Sequence, residues 1–209
     1  MTFSSDDDRI TFFFDSPNNA SHARAGLHSV LYLLRRELLE TMGFDPNSTS
    51  EHDAGAAGPR NRMFASLILM FTVVELLAKF AYGDASGNVG ARFRAFLASA
   101  DGGELVDEQA LQLYKLRSSL VHAFGVPDAD TLATLGLSGF SLAQRSDSGL
   151  IMQQTPSGVA VVYIDGIYRV VIAAVEKYRE TLYGSGSSDR RALLLQMFAK
   201  YGTIVFRGN

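Results

Sequence analysis

Apolar positions recur every three or four residues along several stretches of this chain, separated by polar or glycine-rich segments. Leu27, Val30, Leu31, Leu34 and Leu38 keep helical spacing, which predicts a first helix over 19–42 ending at Gly43. Arg35, Arg36, Glu37 and Glu40 form its wet face. Pro59 suits the first turn of a second helix that runs to about Tyr82. That helix is apolar nearly all round, so it belongs at the centre of a bundle. A short third helix is predicted over 89–100, with Phe93, Phe96 and Leu97 inward and Arg92 and Arg94 exposed. Gly102-Gly103 breaks it, and Asp107 suits the cap of a fourth helix reaching about Phe124. Gly125-Val126-Pro127 stops that helix, since Gly suits the position after a helix end and Pro cannot continue it.

After Pro127 the rhythm changes. Gly139–Gln144, Leu150–Gln154 and Gly158–Val162 are short runs separated by turn-forming residues, which predicts two or three antiparallel strands. A sheet this small must pack on the helices or on another chain. Tyr163–Tyr183 returns to helix, with Ile167, Val170, Val171, Ala174, Val175 and Tyr178 inward. A final helix over 189–201 and a terminal strand at Thr203–Phe206 complete the pattern. At the other end, residues 1–18 are polar except for Ile10-Thr11-Phe12-Phe13-Phe14, which reads as an edge strand or an arm docking on a partner. Asp45–Gly58 has the composition of a loop.

The fold class expected is mainly α, a bundle of about five or six helices with a small antiparallel β insertion, α+β overall. The organisation is an N-terminal arm at 1–18, one helical domain at 19–201 with the insertion at about 139–162, and a strand or tail at 202–209.

Composition narrows the chemistry. Hydrophobic residues make up 47 % and charged residues 20 %, which fits a soluble globular protein. The net charge of −3 gives no bulk attraction to phosphate backbones, so a nucleic-acid partner would need basic groups gathered locally. No cysteine is present, which removes disulfides, thiol nucleophiles and Cys-based zinc sites and fits a cytoplasmic setting. The acidic start, Asp6-Asp7-Asp8, is unlike a signal peptide. The uncharged run Met63–Val74 is too short to span a bilayer and is followed by Glu75 and Lys79, so no membrane is expected. His22 and His28 lack metal-ligand spacing, and His52 between Glu51 and Asp53 reads as part of a polar loop. Neither a metal nor a cofactor is implied, since no P-loop or dinucleotide fingerprint occurs.

One stretch carries candidate chemistry: Leu111-Gln-Leu-Tyr114-Lys115-Leu-Arg117-Ser118-Ser-Leu-Val-His122-Ala-Phe124-Gly125. Projected at about 100° per residue, Leu113, Leu116, Leu120 and Phe124 share one arc, and Arg117 falls inside it. A guanidinium in an apolar stripe needs a partner or a use. His122 lies about 140° further round, in the last turn, where the backbone can bring it nearer to Arg117. Glu75, the acid of the second helix, has two readings: an exposed pair with Lys79 at i,i+4, or a partner that holds Arg117.

This pattern resembles the HEPN family (higher eukaryotes and prokaryotes nucleotide-binding domains), whose signature is an Arg, four to six residues, and a His late on a helix of a bundle. Asn often follows the Arg in that family; Ser118 stands there in this chain. Leu-Val-His-Ala-Phe-Gly and the upstream Phe71-Thr-Val-Val-Glu75-Leu-Leu are similar to it as well, and the likeness covers roughly 20–125 and, more loosely, 163–201. The resemblance implies a homodimer that brings two Arg–His pairs into one cleft. It implies metal-independent RNA cleavage by a toxin or defence effector, with Arg117 and His122 catalytic and Glu75, Ser118 and Tyr114 supporting. Lys115, Arg92 and Arg94 would then guide the RNA, and an antitoxin or other protein partner would fit the same role. The alternative is a HEPN-like dimerising or RNA-binding module without catalysis.

Overall fold

A computed structural model describes residues 3–16, 25–43, 62–84, 87–98, 105–122, 125, 127–146 and 149–205. The loop expected over Asp45–Gly58, His22, His52 and Phe124 lie outside the described residues.

The chain opens with a helix, α1 (Asp6–Asp15), where an edge strand or docking arm was expected. Ser5 caps it by accepting from the Asp8 amide at 3.1 Å, and three aspartates in its first turn complement the helix dipole. Ile10, Phe12, Phe13 and Phe14 are buried within the chain's own core, not offered to a partner. Phe13 stacks on Phe80 with ring centroids 4.5 Å apart. A bidentate pair from Arg179 to Asp15, at 3.0 and 2.6 Å, and an ion pair between Arg191 and Asp7 pin α1 from outside.

The predicted first helix is shorter than expected. Leu27–Ser29 form a strand, β1, and the helix α2 covers Val30–Met42. Ser29 sets this boundary: its hydroxyl caps α2 at Tyr32 and also donates to the Phe13 carbonyl at 2.5 Å. Gly43, at φ 84°, ends α2 in the left-handed conformation that glycine takes without strain.

The helix α3 (Met63–Tyr82) is central, as its all-round apolar pattern predicts. It packs against both α2 and α4 (Val89–Ala98). Its length and composition would suit a membrane span, but half of its most apolar window is buried inside the fold. Phe93, Phe96 and Leu97 of α4 face inward. The fourth predicted helix is α5 (Asp107–His122). Asp107 lies in its first turn and not at its cap, because the Ala110 amide already bonds the Val106 carbonyl.

A short helix not anticipated, α6 (Ala129–Thr134), precedes the sheet. The strands β2 (Gly139–Ala143), β3 (Met152–Gln154) and β4 (Val159–Tyr163) form a sheet of order β2-β4-β3. It is mixed, not antiparallel throughout: β3 pairs antiparallel with β4, whereas β2 runs parallel to it. The intervening β3 hairpin reverses the chain before β4 enters the centre. The helix α7 (Ile164–Thr181) follows and packs on α3, as does α8 (Ser188–Tyr201). The strand β5 (Thr203–Val205) pairs antiparallel with β1, joining the two ends of the fold. The protein is thus mainly helical, with eight helices among the described residues and two small sheets.

Candidate functional site

Two helices build the site. α3 supplies Glu75 and α5 supplies Arg117 and His122. The apolar neighbours Leu113, Leu116 and Leu120 bury the inner face of α5 and fix its phase. Arg117 therefore leaves the helix at the edge of the core, pointing toward α3. Its Nη2 donates to Glu75 Oε2 at 2.7 Å. Lys79, the alternative partner of Glu75, turns instead to Asp84 at 3.4 Å.

The second arm of the guanidinium faces the imidazole: Arg117 Nη1 and His122 Nε2 are 3.4 Å apart. Five positions on one helix do not share a face, but His122 is the last residue of α5 and its exposed ring swings back over Arg117. With Arg117 as donor, Nε2 carries the lone pair and Nδ1 the proton. The order of contacts is thus carboxylate, guanidinium, imidazole. Glu75 and Arg117 are shielded, with side chains 19 % and 14 % exposed, whereas His122 is open to solvent. The second carboxylate oxygen, Glu75 Oε1, is buried and has no hydrogen-bond partner among the described residues. Chemically, the arrangement offers a fixed cation with donors to spare and a proton acceptor at its rim.

The other residues singled out from sequence fall elsewhere. Tyr114 packs its ring on Phe93, at 5.6 Å between centroids, and lies against Gly90 of α4. Ser118 is half-buried on α5. Of the basic residues, Arg92 is half-buried and donates to the backbone oxygens of Asp84 and Gly87 at 3.3 and 2.8 Å. Arg94, also half-buried where exposure was expected, is 3.8 Å from Asp107. Lys115 lies close enough to Asp128 to lower its pKa. His28 is half-buried in β1 and stacks with Tyr32, their ring centroids 6.0 Å apart. Among the described residues no group of three His, Asp or Glu side chains is placed to hold a metal ion.

Sequence reasoning did not find the cluster around Asp84. Partial desolvation raises the pKa of its carboxyl, but bonds from Tyr201, Lys79 and Lys200 outweigh that and leave it below the usual carboxylate range. Lys79 was visible as a basic residue one turn after Glu75; its true partner lies past the turn at Gly83, where helical spacing gives no guidance.

No family model, curated protein or solved structure matches the chain.

Proposed function

We propose that this protein is a metal-independent endoribonuclease of HEPN type, a cytoplasmic toxin or defence effector that acts as a homodimer. The observation that carries the reading is the ordered contact of Glu75, Arg117 and His122, with His122 exposed at the end of α5. RNA supplies its own nucleophile. The 2′-hydroxyl attacks the adjacent phosphorus, the bond from phosphorus to O5′ breaks, and a cyclic phosphate and a free 5′-hydroxyl result. As Arg117 Nη1 turns from His122 Nε2 to the phosphate, the lone pair of that nitrogen is freed and accepts the proton of the 2′-hydroxyl. Arg117 donates to the phosphoryl oxygens as their charge grows, and Glu75 holds its fork in the required plane. The leaving O5′ receives its proton from the partner's His122, which is why two copies are needed.

A second reading has an observation of its own. Arg117 is already bonded to Glu75 and shielded from solvent, which suits a helix tie in a non-catalytic dimerising or RNA-binding module. One experiment separates the two. The purified chain is incubated with mixed RNA in EDTA beside its His122→Ala variant. Cleavage by the first and not the second is expected. Equal survival of RNA with both, at high protein concentration, leaves only the non-catalytic module, and a protein partner such as an antitoxin then becomes irrelevant to nuclease control.

A further inference from the structure

One helical turn beyond Glu75, or about 5.4 Å along α3, a second set of charges converges. Lys79 projects from the same side of α3 as Glu75. Its ammonium lies 3.4 Å from Asp84 Oδ1 and 3.5 Å from the centroid of the Tyr201 ring. Lys200, in the last turn of α8, reaches Asp84 Oδ2 at 3.4 Å, and the Tyr201 hydroxyl donates to the same oxygen at 3.1 Å. Arg92 of α4 grips the backbone of the same turn. Two lysines, from α3 and α8, thus share the Asp84 carboxylate, and Arg92 of α4 holds the backbone of the same turn, so the cations outnumber the one acid. The side chains of Lys79, Asp84 and Lys200 are 31 %, 39 % and 50 % exposed, so a phosphate can reach them.

We propose that Lys79, Lys200 and Arg92 form a phosphate-backbone contact that seats a single RNA strand beside Arg117 and His122, with Asp84 holding the lysines in register and weakening their pull. RNA as the ligand rests on the ribonuclease reading; the basic surface rests on this cluster. A chain of net charge −3 can attract a polyanion only through a local excess of positive charge. Arg94 does not provide it, because it faces Asp107 at 3.8 Å. Lys79 and Lys200 share theirs. Lysine suits the role, since a phosphate track needs point charges and not a planar fork. The Tyr201 ring under Lys79 attracts its ammonium through the π face.

The sign of the Asp84 effect makes the proposal testable. Labelled single-stranded RNA with 2′-O-methyl groups, which cannot be cleaved, is titrated with the full chain at several salt concentrations. The Lys79→Gln/Lys200→Gln variant is expected to bind more weakly, with the slope of log affinity against log salt reduced by about 0.7 for each phosphate that is no longer neutralised. Asp84→Asn is expected to bind several-fold more tightly. Lys200→Gln alone, at a half-exposed side chain, serves if the double variant fails to fold. An unchanged slope in the lysine variants overturns the proposal, as does a weakening of affinity in Asp84→Asn that parallels theirs. Lysine-dependent binding without cleavage of ordinary RNA overturns the ribonuclease reading alone; cleavage with an unchanged slope overturns this one alone.

Discussion

Arg117 and Glu75 are bonded at 2.7 Å across 42 residues of chain, whereas Lys79, one turn from Glu75, is not its partner. The guanidinium sits in an apolar arc and has few other places to go; the lysine has a flexible stem and finds Asp84 at the helix end. Removing Glu75 therefore leaves a shielded charge without its carboxylate, facing only the His122 ring. Glu75→Ala is expected to lower the unfolding free energy by about 2 kcal/mol, less than for a fully buried pair because both side chains retain some solvent. Glu75→Leu combined with Arg117→Met should recover most of that loss. Urea unfolding of the single and double variants measures it, and strictly additive losses would show that the two residues are not coupled.

The N-terminal helix is expected to be part of the cooperative fold. Phe13 is fully buried and stacks on Phe80 of α3, so Phe13→Ala should cost about 3–5 kcal/mol. The Asp15–Arg179 pair lies partly in solvent, and Asp15→Asn should cost no more than about 1 kcal/mol. Thermal melts of the two variants give the comparison. Similar small shifts in both would mean that α1 is held from outside and not by its phenylalanines.

These two interactions differ in how far the sequence reveals them. The Glu75–Arg117 pair is legible because both residues sit on long helices whose phase follows from the apolar spacing. α1 is not, because three consecutive phenylalanines match a strand by propensity as well as a helix. The deciding features, Ser5 as cap and three aspartates behind it, are local and easily outweighed. α6 buries none of its residues and so leaves no apolar rhythm to read. The parallel pairing of β2 with β4 depends on where the β3 hairpin folds, which strand patterns do not encode. The Asp84 cluster needs the turn at Gly83, whose φ of 75° folds the chain back under Lys79. Helical spacing ends one residue before it.

Gly166, in the first turn of α7, fixes how closely the β3 hairpin approaches. A Cβ there would lie 2.4 Å from the Leu150 carbonyl oxygen and 2.8 Å from Ile151 Cα. Both are backbone atoms, so no side-chain rotation relieves the clash. Gly166→Ala should destabilise by about 2–3 kcal/mol. Gly184→Ala is the control: nothing lies within 4 Å of its added Cβ, and the change should be neutral or stabilising by up to about 1 kcal/mol. Denaturant midpoints report the difference. Equal midpoints would show that the hairpin can retreat from α7 without loss.

Acid should loosen the start of α6 through Asp128. Its Oδ1 accepts from the Thr131 amide at 2.8 Å. That bond is the largest cause of a carboxyl held below the ordinary range; the Thr131 side chain acts in the same direction, and so, more weakly, do the Asp130 amide and the Lys115 charge, together outweighing desolvation. A carboxyl whose pKa is lower in the folded chain favours folding while it is ionised. The contribution is complete above the unfolded value, about 4, and is lost as pH falls through the folded value below it. Asp128→Asn keeps an oxygen for the cap but cannot titrate. The variant should melt slightly below the parent at neutral pH, and the gap should close as pH drops below about 4. Asp84 shifts in the same direction in both chains, so it cancels from the difference. Parallel melting curves through the acid range would mean that the ionised cap contributes nothing that the amide does not.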